Sequence, residues 1–419
     1  MEGRRGGAAK KLYTPRSIYT LFAVCWFSYF CTYLGRLNFT ACIAEIETAG
    51  ALSKVQLGRI SSAFFVCYGL GQFFSGFLAD RLRAKALVGL GLLGSAAINF
   101  GMAISRTPGW MAALWAANGL CQALAWAPLV RTVANLARGE QCARICLNLA
   151  TTTPAGTLAA YLMCVVCVAL GSWRSAFLAG GVFLAAAGAV WLAGITGLER
   201  LAARDGLEDA TPLRAGGASA AGAPPRLPLM LLPLCLAACL HGLLKDGIMT
   251  WVPSLLKEQF GFPAAFSIAL TMLLPVVNLS GVYLADRANV RRFHNEAAAA
   301  GFFFLLCGAG MCAWALAGRG SFPFTFAMLL FSTTCMTGVS TLLLSLFPLR
   351  FRRWGAAATV TGVLNAVTYA GSALSSVGFG ALSARWGWGV VGLAWCAAAL
   401  LGAGVCAAGR GSGRVGSAP

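Results

Sequence analysis

Long apolar runs alternate with short polar connections along the whole chain. Runs of about 20 apolar residues, the length of a helix that crosses a bilayer, recur from end to end. Twelve are predicted, over roughly 17–38, 55–79, 86–105, 109–131, 145–169, 173–194, 227–252, 264–285, 296–317, 322–347, 355–381 and 386–408. Boundaries are least defined around Pro154, Pro253 and Pro275. Proline removes one helical hydrogen bond, and a kink and a break look alike in sequence. The expected fold class is an all-α membrane protein.

A division is visible near the middle. Residues 195–226 are charged and then rich in Gly, Ala and Pro, as expected of a cytoplasmic linker between an N-terminal six-helix bundle (1–194) and a C-terminal one (227–419). The second predicted span ends "FLADR" (Phe77–Arg81) and the eighth "YLADR" (Tyr283–Arg287), each followed by basic residues. Matching pentapeptides at equivalent places in equal halves indicate duplication. Two parallel six-span repeats, with a site between them, form a transporter architecture.

Composition fits this picture: of 419 residues, 58% are hydrophobic and only 11% charged. The net charge of +19 could suggest a nucleic-acid partner, but the basic residues are placed otherwise. With a cytoplasmic N-terminus, 23 of the 32 Lys and Arg fall in cytoplasmic segments and seven on the opposite side. That asymmetry follows the positive-inside rule, predicts both termini in the cytoplasm, and leaves no nucleic-acid footprint. The cluster Arg350, Arg352 and Arg353 is expected to meet lipid headgroups. The first apolar run is too long for a cleaved signal and lacks a small-residue cleavage site, so it is expected to stay as an anchor.

Sixteen cysteines lie mostly within spans, where a thiol acts as a small apolar group. The pair Cys164 and Cys167 has no second pair and no nearby histidine, so no metal or other cofactor is expected. No nucleophile–base constellation or phosphate-cradling glycine loop suggests an enzyme.

Two basic residues, Arg36 and Lys245, belong to no loop. Ionisable side chains inside spans are costly and usually functional. They fall in the first helix of each half, so a pseudo-twofold axis would face them across one central cavity. Tyr29 and Tyr33 share the face of Arg36 by helical spacing. Asn118, Gln122 and Trp126 are spaced by four, on a face unsuited to lipid. Asn148, Thr151 and Thr152 in the fifth span, and Thr361, Asn365, Tyr369 and Ser372 in the eleventh, could also line a cavity, or could simply bond helix to helix. His241 lies one turn before Lys245, and Asp246 follows at once, about 100° around the helix, where it could partly neutralise its neighbour.

Specific motifs carry a resemblance. "GFLADRLRAK" is similar to the loop signature of the major facilitator superfamily, in which Asp80 and Arg81, with Asp286, Arg287 and Arg131, would latch the cytoplasmic side. "YLGRLNF", "NGLCQALAWAPLVR" and "LKDGIMTWVPSLLKEQFGF" resemble runs of its organophosphate:phosphate antiporter family, which includes glycerol-3-phosphate and hexose-phosphate transporters. The resemblance implies a major facilitator fold in which Arg36 and Lys245 hold the substrate's phosphate. Three positions depart from the family: Lys245 where arginine is common, Thr151 where a histidine is usual, and Leu37 where a second basic residue is frequent. Lys245 keeps its charge but lacks the bidentate fork, with Asp246 beside it to offset it in part, and the other two changes lower the positive charge of the pocket, so a carboxylate or sugar acid joins sugar and glycerol phosphates among the expected substrates.

The leading expectation is therefore secondary transport of a small organic anion by alternating access. Exchange is expected, with inorganic phosphate as a possible counter-substrate, by a monomer in the plasma (inner) membrane. Alternatives are proton-coupled symport or drug efflux, with Asp246 or Glu45 carrying the proton, and a transporter-like sensor of sugar phosphates.

Overall fold

The structure, a computed structural model, describes residues 10–49, 52–205, 207–208, 227–318, 320–354 and 357–409. Its helices in the first half are α1 (Pro15–Leu34), α2 (Asn38–Thr48), α3 (Lys54–Arg81), α4 (Ala84–Ile104), α5 (Pro108–Ala123), α6 (Trp126–Leu136), α7 (Gly139–Leu149), α8 (Thr152–Leu170) and α9 (Trp173–Asp205). Those of the second half are α10 (Leu227–Phe260), α11 (Ala264–Thr271), α12 (Leu273–Ala288), α13 (Glu296–Ala313), α14 (Phe322–Ser340) and α15 (Ala357–Ala408). A two-residue ladder pairs β1 (Lys10–Lys11) with β2 (Leu207–Glu208), and Leu12 donates its N–H to the Leu136 carbonyl at 2.9 Å.

Among the described residues, ten segments are long and apolar enough to cross a membrane. The last of them, Thr359–Ala408, spans two of the sequence-predicted segments and turns at Gly387, whose φ of 74° places it in the left-handed region that glycine tolerates. α3, whose 28 residues extend about 42 Å, is also long enough to cross. The multi-pass membrane character expected from the sequence holds.

Proline explains most of the interrupted spans. Its ring clashes with the carbonyl four residues earlier and cannot bond to it. Four residues before Pro128 is Leu124, where α5 gives way to α6; before Pro154 is Ala150, between α7 and α8; before Pro275 is Thr271, the end of α11. Pro253, by contrast, stays inside a continuous α10. The sixth span runs beyond its expected end at 194 to Asp205, while 209–226 of the linker lie outside the described residues.

The halves meet along α3 and α15, with α2 and α8 against α10 and α11. At the end of the bundle away from the termini they are tied by charge. The Lys54 ammonium lies 2.5 Å from the Glu258 carboxylate and 5.0 Å from the Trp388 ring centre, and the Trp388 indole donates to Glu258 at 3.0 Å. Lys257 donates to the Thr48 hydroxyl. Just inside, the Ser61 and Ser376 hydroxyls are 3.2 Å apart, and Gly58 lies directly against the Ser376 carbonyl. Any Cβ at Gly58 would collide with that backbone.

Arg350, expected at lipid headgroups, instead meets Glu296 at 2.6 Å in a pair whose side chains are only 22% and 12% exposed. A buried carboxylate at the first turn of α13 is a stronger partner for guanidinium than headgroup water. The side chains of Arg352 and Arg353 lie outside the described residues.

Candidate functional site

Arg36 is not in the last turn of a helix. α1 stops at Leu34, Gly35–Leu37 form a break, and α2 resumes at Asn38. No proline causes this break. The half-buried Arg36 guanidinium sits 3.9 Å over the Tyr33 ring, and its Nη1 donates to the Tyr68 hydroxyl at 3.1 Å. Cation–π contact and a neutral hydrogen bond stabilise the charge without neutralising it. Arg36 has no carboxylate partner among the described residues.

Aromatic contacts extend from it on two sides. Trp126 on α6 packs against Tyr29 with ring centres 4.7 Å apart, and Tyr29 meets Tyr33 edge-on at 5.7 Å. The Tyr33 hydroxyl is 2.8 Å from that of Thr153. On the other side of Arg36, Tyr68 accepts from Gln72 at 2.8 Å and meets Tyr369 of α15 edge-on at 4.9 Å. One turn further along α15, the Ser372 hydroxyl donates to Asp246 of α10 at 2.6 Å. These contacts thus lead from α6, past Arg36, to α15 and the residue beside Lys245.

Asp246 therefore bonds across to α15 and forms no ion pair with Lys245. The half-buried Lys245 has no hydrogen bond or ion pair among the described residues. One turn away His241 is buried, and its Nδ1 is without a partner there.

Other sequence-predicted residues are engaged elsewhere. Gln122 is buried and donates to Ser95 at 2.8 Å, on the side of α5 facing α4. Thr151, in the break before α8, accepts from the Trp26 indole at 2.9 Å. Asn148 is exposed on α7, and Asn365 is half-buried on α15. Arg81, Asp286 and Arg287 are exposed, Arg131 is half-buried, and the side chain of Asp80 lies outside the described residues.

Residues 25–376 match the Major Facilitator Superfamily. The chain belongs to that superfamily. Solved structures of transporters with this superfamily's helical architecture agree in fold: a bacterial homologue of the human lysosomal transporter Spinster superposes with a TM-score of 0.69 at 16% identity, over 97% of this chain and 96% of that one. The human organic anion transporter MFSD10 gives 0.62 at 16% identity, over 94% of this chain and all of that one. Sequence matches are shorter. The membrane sensor protein UhpC of Escherichia coli is 33% identical over 97 residues, 23% of this chain and 22% of its own length. A glycerol-3-phosphate transporter of Haemophilus influenzae is 33% identical over 118 residues, 27% of this chain and 24% of its own. These matches span about a quarter of the relatives' length.

Sequence reasoning missed Tyr68, Ser95 and Asn99. The signal was present, since Tyr68 with Gln72, and Ser95 with Asn99, are polar pairs four apart in apolar runs. That is the same spacing that drew attention to Asn118 and Gln122.

Proposed function

We propose that this superfamily member is a secondary active transporter of a small organic anion, working by alternating access and by exchange. One observation carries the reading: Arg36, an uncompensated guanidinium at a helix break, connects through Tyr68 to Tyr369 of α15, one turn from the Ser372 that bonds the residue next to Lys245. Charge of this kind inside a bundle is costly to keep unless something negative visits it. The short matches to glycerol-3-phosphate and hexose-phosphate transporters support a phosphate ester as the visitor, and a carboxylate or sugar acid fits the same pair.

Arg36 and Lys245 would grip the anion, with Tyr29, Tyr33 and Tyr369 as hydroxyl donors, and inorganic phosphate would serve as counter-substrate. An empty site holding two like charges resists closing, and a bound anion offsets the repulsion. With both termini cytoplasmic in the inner membrane, the Lys54–Glu258 end is the outer one, and the site opens inward past Asp80, Arg81, Asp286, Arg287 and Arg131.

The test is efflux of labelled inorganic phosphate from proteoliposomes, with glycerol-3-phosphate, hexose phosphates or sugar acids outside. Faster efflux with one of these is expected, and its loss in Arg36→Gln. Equal rates with and without external anion would reject exchange. The match to UhpC favours a second reading, a membrane sensor of sugar phosphates. Tight binding with no movement of label would select it.

A further inference from the structure

The break that carries Arg36 leaves a backbone carbonyl without a helical partner, as every helix C-terminus does. At Gly35 that carbonyl is taken by two side-chain amides from two other helices. Asn99 of α4 donates to it at 3.1 Å and Asn118 of α5 at 3.0 Å. Both of its lone pairs are used.

The amides are themselves held. Asn99 accepts from Asn38 of α2 at 2.7 Å and donates to the Ser95 carbonyl at 2.8 Å. Asn118 accepts from the Ser95 hydroxyl at 2.5 Å, and Ser95 accepts from Gln122 at 2.8 Å. All five side chains are buried, at no more than 3% exposure.

The Gly35 carbonyl and the Arg36 N–H belong to one rigid peptide plane. Its other end is also fixed, because the Arg36 N–H donates to the Tyr33 carbonyl at 3.3 Å. That plane fixes the Arg36 Cα, and the Leu37 N–H, which donates to the same Tyr33 carbonyl at 3.1 Å, fixes the next plane; between the two, the direction of the Arg36 Cα–Cβ bond is set. That direction puts the guanidinium over Tyr33 and beside the Tyr68 hydroxyl.

We propose that Asn118 and Asn99 are positioning residues: without touching the anion, they orient the Gly35–Arg36 peptide so that Arg36 is presented to it. This deepens the anion-binding reading and rests on it.

The test uses the full-length protein in detergent, with inorganic phosphate and glycerol-3-phosphate as probes, read by titration calorimetry and by thermal unfolding without ligand. Asn118→Leu keeps the branched shape of the side chain and leaves Asn99 on the carbonyl, so the fold should survive. Affinity for the better probe is expected to fall about tenfold, the worth of one hydrogen bond; the unliganded melting temperature should fall as well, because Ser95 loses its buried acceptor, so the dependence on Arg36 is what distinguishes positioning from stability. In an Arg36→Lys background, whose flexible stem depends less on the peptide plane, the same change should cost about twofold or less. Equal losses in both backgrounds, or an unchanged affinity in Asn118→Leu, would overturn the positioning role. Should Asn118→Leu fail to fold, Ser95→Ala, which removes only the hydroxyl bracing Asn118, is expected to give a smaller loss, about threefold, with the same dependence on Arg36; no loss overturns the proposal. If Arg36→Gln binds the probe as well as the unmodified protein does, the underlying anion-site reading fails instead.

Discussion

Replacing Glu258 by glutamine should loosen the end of the bundle away from the termini. Glu258 lies in the last turn of α10 and Lys54 in the first turn of α3. Each charge therefore sits at the unfavourable end of its own helix dipole and depends on the other. Breaking an exposed pair costs at most about 1 kcal/mol, and breaking a buried one about 3–5 kcal/mol. With side chains 11% and 36% exposed, this pair lies between the two, near 2 kcal/mol by interpolation, at about the midpoint of those ranges. Glutamine also removes an anion from the end of α10, returning about 0.5 kcal/mol. The net is about 1.5 kcal/mol, a tenfold fall in the ratio of closed to open at this end. The reporter is Ser61→Cys with Ser376→Cys, whose parent hydroxyls are 3.2 Å apart and so mark the closed seam. Oxidative crosslinking of this pair should slow in Glu258→Gln, against a control without the pair because the chain has sixteen cysteines of its own. An unchanged rate would show that the ion pair does not hold the ends together.

Two further outcomes follow from pairs away from the aromatic contacts or at their edge. Glu296→Ala removes the carboxylate paired with Arg350, and should cost about 1–3 kcal/mol, between the values for an exposed and a buried pair because both side chains keep some water; a melting temperature unchanged in detergent would contradict it. Ser372→Ala removes the donor that turns Asp246 away from Lys245. Freed, the carboxylate should pair with the lysine and weaken phosphate affinity about threefold to tenfold, and calorimetry showing equal or tighter binding would refute that account.

Span positions were legible because membrane helices need apolar length, and proline offsets locate the breaks before α6, α8 and α12 once the four-residue rule is applied. Arg36 and Lys245 were legible as charges with no loop to belong to. The break around Arg36 was not, since Gly35 is followed by no proline and the run 17–38 reads as one helix. What opens it is a carbonyl held from α4 and α5, some sixty and eighty residues away, a long-range contact that periodicity does not encode. The same holds for Asp246. Its sequence neighbour is Lys245, but its partner stands on α15.

The seam between α3 and α15 near the paired charges is built of Gly58, Ser61, Ser376 and Gly380. At these four positions the boundary has only small side chains to withdraw. Parting them uncovers hydroxyls and peptide groups that water can serve. Water can therefore replace what these positions lose on opening, and ionic strength, which screens the Lys54–Glu258 pair at the rim, should favour the open state.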